Sequence, residues 1–463
     1  MAPRLALLVG YICTFWLIAR DVKRRPGLSK ALWIPLLWVV ILGSRPVSLW
    51  SGDAGEAIAN VEDGSPLDRL VFQLLMAAGM VVLFKRRIEL RRVISENKWI
   101  CLYFLYLGIS ALWSDYPFVS FKRWIKDLGN VVMVLVILSE MDPTEAVKAV
   151  FVRCAYILVP LSVIFIKYFP DVGRYYNRWT WTFSYGGVTT DKNMLGLTLV
   201  VSGIFLLWHL LDIYNDRPFK GRWKTILVCG VLLAMAAWLF NMANSATSQA
   251  CFMVGGGILF VLKVPAVRRK VWSLRAFSIP VAVLSLFLYS ALNMQNAGTS
   301  VLGRDTTFTG RTEIWQRVLS EKTNPLIGVG FYSFWLGDRV DKVSEGFYYH
   351  LNESHNGYIE TYLNSGLIGI FLLVGLIVSA IIRLVREAPR GSDYEALQAV
   401  FLAVMVVYNV TEAAFDRMDI LWVCFLLACV KYPIASSRHL EQENGQRHHG
   451  AAESVTNEGF VVC

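Results

Sequence analysis

A chain of 463 residues that is 55% hydrophobic, 17% charged and +0.47 in mean hydropathy is a membrane protein, not a string of soluble domains. The same figures exclude a large soluble catalytic domain, and with 34 Gly and 15 Pro scattered and 13% aromatics they exclude collagenous and disordered architectures. The net charge of +10 sits in short connections between apolar runs, the signature of membrane topology and not of a nucleic-acid surface, so no nucleic-acid partner is expected.

About twenty apolar residues cross a bilayer. Runs of that character lie near 5–19, 31–49, 69–84, 99–113, 124–138, 148–168, 194–213, 225–241, 248–262, 276–292, 365–382, 396–411 and 419–430, several of them short. The pattern predicts an all-α polytopic helical bundle of about 12–13 transmembrane helices, a membrane domain over 1–432 and a polar, disordered cytoplasmic tail over 433–463. The first run is read as a retained helix; the signal-peptide alternative fits less well because residues 1–5 hold one basic residue and no small-residue cleavage site precedes Arg20. No internal repeat of the kind found in many transporters is visible. The cysteines show neither metal spacing nor a disulfide framework, and His439, His448 and His449 read as tail residues in solvent.

Basic residues fix the expected orientation. The connections 20–30, 85–98 and 263–275 are rich in Lys and Arg and are assigned to the cytoplasm. The alternate connections are poorer in them, and 45–68 is acidic, so these face outward. The scheme puts the N-terminus outside and the C-terminus inside. It also leaves one long outward loop, 293–357, where most others have fewer than 25 residues; long loops usually carry function.

Within that loop, Thr309-Gly310-Arg311-Thr312-Glu313-Ile314-Trp315 leads into Val318 and Leu319, a pattern that predicts a short helix with Gly310 as N-cap and Glu313 at N3. Arg311 then stands at the first helical position, where its side chain and the exposed backbone N–H groups can face one anion. The alternative is a solvated arginine paired with Glu313 or Asp305. The stretch 324–331 reads as a plain turn. Asn352-Glu353-Ser354-His355-Asn356-Gly357 opens another helix, with Ser354 or Asn352 as candidate cap, and Asn364-Ser365-Gly366 interrupts it. His355 lies at this helix start, where a neutral imidazole can take a proton from a hydroxyl or simply bond locally. Further outward cations are Lys122, Arg123 and Lys126 beside the fifth run, and Arg174, Arg178 and Lys192 around an aromatic loop over 175–185. Either they snorkel to lipid phosphates or they belong to a diphosphate site.

Three stretches together resemble the bacterial O-antigen ligase and polysaccharide polymerase superfamily, most closely its exopolysaccharide-polymerase branch. They are Ala111-Leu112-Trp113-Ser114-Asp115-Tyr116-Pro117 with Phe121-Lys122-Arg123-Trp124, then the segment from Thr309 to Trp315, and finally Ser354-His355-Asn356-Gly357-Tyr358 running into Asn364-Ser365-Gly366. The resemblance implies a glycosyltransferase of polysaccharide biosynthesis in the bacterial inner membrane. Such an enzyme transfers a glycan from undecaprenyl diphosphate to a sugar hydroxyl on the periplasmic face, without metal, nucleotide or other cofactor. It implies His355 as general base and Arg311 as a diphosphate ligand. The implied partners are the lipid-linked oligosaccharide, a glycan acceptor, membrane lipids and other polysaccharide export proteins. Polymerisation of repeat units is the reading preferred here, with ligation to a lipid A-core acceptor as runner-up and a transporter or flippase of the same lipid as the reading from another class. In one respect the chain departs from the family: Asn244-Ser245-Ala246-Thr247-Ser248-Gln249 lacks the basic residue often found at the start of that span. Arg123, Lys126 or Lys192 is expected to supply the missing cation, or the hydroxyls and Gln249 to bond phosphate neutrally.

Overall fold

The computed structural model describes residues 2–52, 64–177, 182–215, 221–263, 311–347, 350–387 and 393–432. The expected tenth span at 276–292, the tail after 432, Gly310 and Asp305 all lie outside these residues. The described chain is helical apart from one small hairpin. Its helices are α1 Pro3–Arg24, α2 Trp33–Leu42, α3 Val47–Ser51, α4 Pro66–Lys85, α5 Leu90–Glu96, α6 Lys98–Ile109, α7 Pro117–Leu138, α8 Pro143–Tyr168 and α9 Pro170–Gly173. After the hairpin come α10 Lys192–Asn215, α11 Arg222–Ala243, α12 Ala246–Lys263, α13 Arg311–Ser320, α14 Asp338–Ser344, α15 Gly357–Glu387, α16 Asp393–Tyr408 and α17 Ile420–Cys429. Pro3, Pro66, Pro117, Pro143 and Pro170 each begin a helix, where the missing N–H costs nothing.

Seven of the described helices are long and apolar enough to cross a membrane, and four shorter apolar ones accompany them. Burial sorts them. In α8 and α10, 72% and 78% of the apolar window is buried, against 22% and 17% in α1 and α4, so the first pair is central and the second forms the rim. All ten residues of α17 are buried, as expected of a helix that is apolar on every side. In α7, Lys122, Arg123, Lys126 and Asp127 lie within the helix and not beside it, which extends the expected fifth run by two turns at its start.

The aromatic loop over 175–185 is a correction. Arg174–Asn177 (β1) and Thr182–Tyr185 (β2) pair antiparallel, Arg174 opposite Tyr185. In β2 the order Thr182, Phe183, Ser184, Tyr185 alternates polar and aromatic side chains, which suits a pleated ribbon.

The two ends of the bundle are chemically distinct. At one end Arg86 bonds Glu140, the Ser29 hydroxyl donates to Glu140 at 2.6 Å, and Lys431 reaches Glu96 at 3.1 Å. The basic connections 20–30 and 85–98 therefore meet there, and Lys263, paired with Asp212, joins them. At the other end lie residues 110–117, the hairpin, α13, α14 and the starts of α15 and α17. Here Arg45 donates to the carbonyls of Val172 at 2.6 Å and Thr189 at 2.8 Å.

Helix α15 breaks where the sequence reading placed an interruption. Gly366 has φ +64° and ψ −166°, and the turn after Asn324 packs into the break. Val329 N and Gly330 N donate to the carbonyls of Leu363 and Asn364, while Leu367 N and Ile368 N donate to those of Pro325 and Leu326, at 2.9–3.1 Å. Backbone groups freed by the kink are thus re-paired inside protein. A Cβ at Gly366 would sit 2.3 Å from the Leu326 carbonyl, so only glycine fits. Residues 110–117 form the platform beneath this turn: the Trp113 indole donates to Ile327 O at 3.2 Å and Phe331 N to the Ser110 hydroxyl at 3.0 Å.

Candidate active site

His355 stands between two clamps. On its N-terminal side, Ser354 N donates to the buried Glu360 carboxylate at 2.5 Å, and Ser354 O accepts from the Trp315 indole at 2.7 Å. On its C-terminal side, Asn356 caps α15: its Oδ1 accepts from Tyr358 N and Ile359 N at 3.0 and 3.1 Å. Asn356, not Ser354 or Asn352, is therefore the cap, because the chain turns sharply one residue before it. That turn is His355 itself, with φ +52°, a left-handed conformation that costs a non-glycine residue energy and is held only where its surroundings determine it. Gly357 N completes the anchor by donating to the carbonyls of Asn409 and Glu412 at 2.9 and 3.0 Å, which ties the end of α16 to the start of α15.

The imidazole is fixed as tightly as the backbone. Its Nδ1 lies 2.9 Å from Glu353 Oε1 and 3.2 Å from Glu412 Oε2. Carboxylates only accept, so Nδ1 carries hydrogen and Nε2 is the nitrogen left to exchange a proton. Each carboxylate is held in turn by a guanidinium: Glu412 Oε1 by Arg311 Nη2 at 2.6 Å, and Glu353 Oε2 by Arg417 Nη1 at 2.5 Å. Burial disfavours the imidazolium, but hydrogen bonds and charge from Glu353 and Glu412 outweigh it and raise the His355 pKa to about 9. For Glu353, burial acts upward while the Arg417 charge and the His355 bond pull its pKa down to about 2.

Arg311 is the first described residue of α13, with Glu313 in the helix's first described turn. Ile314 and Val318 bury this helix against Phe334, Val343, Leu351 and Leu363, which fixes where its first residue points. The arginine pairs with Glu412, 101 residues away, and not with Glu313. The other expected cations lie elsewhere. Arg123 donates to Tyr332 O at 2.8 Å and sits over the Tyr332 ring; the Lys126 ammonium is 4.3 Å from the Phe72 ring centroid. Lys192 opens α10, its backbone N–H donating to the Tyr175 hydroxyl at 3.1 Å. None of the three has an ion pair with Glu353 or Glu412 among the described residues.

The cation that does join the cluster is Arg417, which the sequence reading did not single out, nor did it assign Glu353 or Glu412. A signal existed: Glu412, Asp416, Arg417 and Asp419 crowd a connection between two very apolar runs. The segment Asn244 to Gln249 is also a neighbour. Thr247 Oγ1 lies 2.8 Å from Thr411 Oγ1, beside Glu412, although the Gln249 amide is spent on Phe240 O at 3.0 Å.

The resemblance implies a reaction without metal, yet the fold gathers one set of side chains that could hold an ion. Glu353, His355 and Glu412 bring their ligand atoms within 4.8 Å of one another. Spacing could not reveal this, since Glu412 arrives from a separate helix end. The donor set is a poor cation site even so, because Arg311 and Arg417 already neutralise both carboxylates.

An O-Antigen ligase family model matches residues 230–374, a stretch that contains Arg311 and His355 and stops short of Glu412 and Arg417. The chain is 25% identical over 338 residues to the exopolysaccharide production protein ExoQ of Rhizobium meliloti (strain 1021), an alignment covering 70% of this chain and 72% of that one. With seven described helices long and apolar enough to cross a membrane, the chain is a multi-pass membrane protein that is similar, over the stretch holding Arg311 and His355, to the O-antigen ligase family.

Proposed function

We propose that this protein is a glycosyltransferase that moves a glycan from undecaprenyl diphosphate to a sugar hydroxyl on the periplasmic face of the bacterial inner membrane, polymerising exopolysaccharide repeat units. The observation that carries the reading is His355, held in a left-handed turn with Nδ1 on two carboxylates and Nε2 left to act. The acceptor oxygen attacks the anomeric carbon, the bond to the diphosphate breaks with its electron pair leaving on phosphate, and the hydroxyl proton passes to Nε2 of neutral His355. Glu353 and Glu412 fix the ring and stabilise the imidazolium that results, the role a carboxylate plays beside any catalytic histidine. Arg311 spends one N–H on Glu412; the rest of its planar fork suits a phosphate better than a lysine would. The Thr247 and Thr411 hydroxyls add neutral donors where the family often has a cation.

Proteoliposomes holding the purified protein and a lipid-linked repeat unit test this directly. A ladder of lengthened glycan is expected, at a rate unchanged by chelators. Transfer of a single unit only to a different acceptor would replace the polymerase with a ligase. Movement of the lipid across the bilayer with no new glycosidic bond would overturn the enzyme altogether.

A further inference from the structure

Arg417 reaches the His355 cluster from the connection between α16 and α17, and its placement exceeds what a counter-ion for Glu353 needs. Its backbone setting is the first sign. Among the described residues five non-glycines have left-handed backbone, and three of them, Tyr332, His355 and Asp416, meet here. Tyr332 and Asp416 line one small cavity with Arg417, and Asp416, the residue before it, accepts from the Tyr103 hydroxyl. Such conformations persist only where the surroundings impose them, and they gather at sites that have to aim a side chain.

Unspent bonding capacity is the second sign. A guanidinium carries five N–H donors. Arg417 Nη1 meets Glu353 Oε2 at 2.5 Å, and among the described residues the arginine has no other ion pair or hydrogen bond. The carboxylates near it are engaged by other donors: Glu360 by the Trp335 indole at 2.8–3.0 Å and by Ser354 N, and Asp419 by Trp422 N at 2.8 Å. Exposure completes the picture. The Arg417 side chain is 27% exposed against 18% for Glu353, and Arg311 is 16% exposed against 6% for Glu412, so in each pair the cation is the outer member. Both guanidiniums stand one carboxylate away from the same imidazole Nδ1. The ring is thus flanked by two forks with donors to spare, and the ligand that suits both is an anion with acceptor oxygens on two linked groups, which is the form of a diphosphate.

We propose, resting on the glycosyltransferase reading, that Arg417 is the second diphosphate ligand of this site, gripping the leaving group together with Arg311. It supplies the cation that was expected of Arg123, Lys126 or Lys192. As the bond to the anomeric carbon breaks and its electron pair stays on the diphosphate, the two forks meet the growing charge with donors already in place.

Equilibrium binding of farnesyl diphosphate to the full-length protein in detergent, followed by native mass spectrometry, tests this without any glycan transfer. One bound equivalent is expected for the wild type, weakened about tenfold or more in Arg417→Gln, which loses a charge-assisted contact. Arg417→Lys should recover little of the loss, because a point charge does not reproduce the fork. The Glu353→Gln/Arg417→Gln variant leaves no carboxylate unpaired and the net charge of the cluster unchanged, so it separates ligand binding from folding. It should bind as weakly as Arg417→Gln. Arg339→Gln, which breaks a pair with Asp115 at the same end of the bundle, should bind as the wild type does. A wild type that binds no farnesyl diphosphate removes the donor reading and this proposal together. A wild type that binds, beside a Glu353→Gln/Arg417→Gln protein of equal affinity, overturns the second ligand alone, reduces Arg417 to a partner of Glu353 and leaves Arg311 and His355 in their roles.

Discussion

At the scale of single residues, His355 is a stronger and more often protonated base than its sequence suggests. Read from sequence it is an ordinary imidazole near pKa 6.5; between Glu353 and Glu412 it rises to about 9. Because the acceptor form is the neutral ring, kcat/KM should climb about tenfold per pH unit from pH 7 and level off near pH 9. Glu412→Gln removes one of the carboxylates that raise the pKa, so the levelling point should fall toward 6.5. A profile identical in the two proteins would show that Glu412 does not tune the histidine. Arg311 makes a different demand. Arg311→Lys should lose activity nearly as fully as Arg311→Ala at normal abundance, because a point charge does not reproduce the planar fork that bonds Glu412 and phosphate together. Full glycan assembly by Arg311→Ala would reduce the arginine to a structural partner of Glu412.

At the scale of elements, the site is made by the ends of helices meeting, and the closest meeting is at Gly357. A Cβ there would lie 1.9 Å from Asn409 Oδ1, the atom that also accepts from Ala414 N and Phe415 N at 2.8 and 3.0 Å. Gly357→Ala should therefore cost roughly 1–3 kcal/mol in stability and disturb the loop that delivers Glu412 and Arg417. Gly257→Ala on α12, where no atom lies within 4 Å of the added carbon, is the control and should be silent. Equal melting temperatures for the two variants would contradict the tight junction. The sequence made part of this junction legible. The apolar spacing of Ile314, Trp315 and Val318 marked α13, and Asn364-Ser365-Gly366 marked the break in α15, because both are local patterns. The cap was misplaced because His355 takes a left-handed turn, which propensity disfavours for that residue and only long-range bonds to Trp315, Glu360 and Asn409 sustain. Glu353, Glu412 and Arg417 were missed for a related reason: their roles exist only once α16 returns to α15, and no spacing within one segment encodes that contact.

At the scale of the whole molecule, hydropathy and the alternation of basic connections were enough to foresee a polytopic helical bundle, and residues 20–30, 85–98 and 263 do gather at one end, away from His355. In a cysteine-free background, an impermeant thiol reagent applied to intact cells should label Lys322→Cys at the His355 end and spare Arg87→Cys until lysis. The reverse pattern would turn the bundle over and remove the periplasmic assignment. The account as a whole rests on His355 exchanging a proton during glycan transfer, and single-turnover assay of His355→Gln in proteoliposomes tests that claim most directly. Glutamine keeps hydrogen-bonding capacity but has no usable basicity, so donor binding should persist while the rate of glycosidic bond formation falls about a hundred- to ten-thousandfold. Near-normal bond formation by His355→Gln, at any pH between 7 and 10, would contradict it.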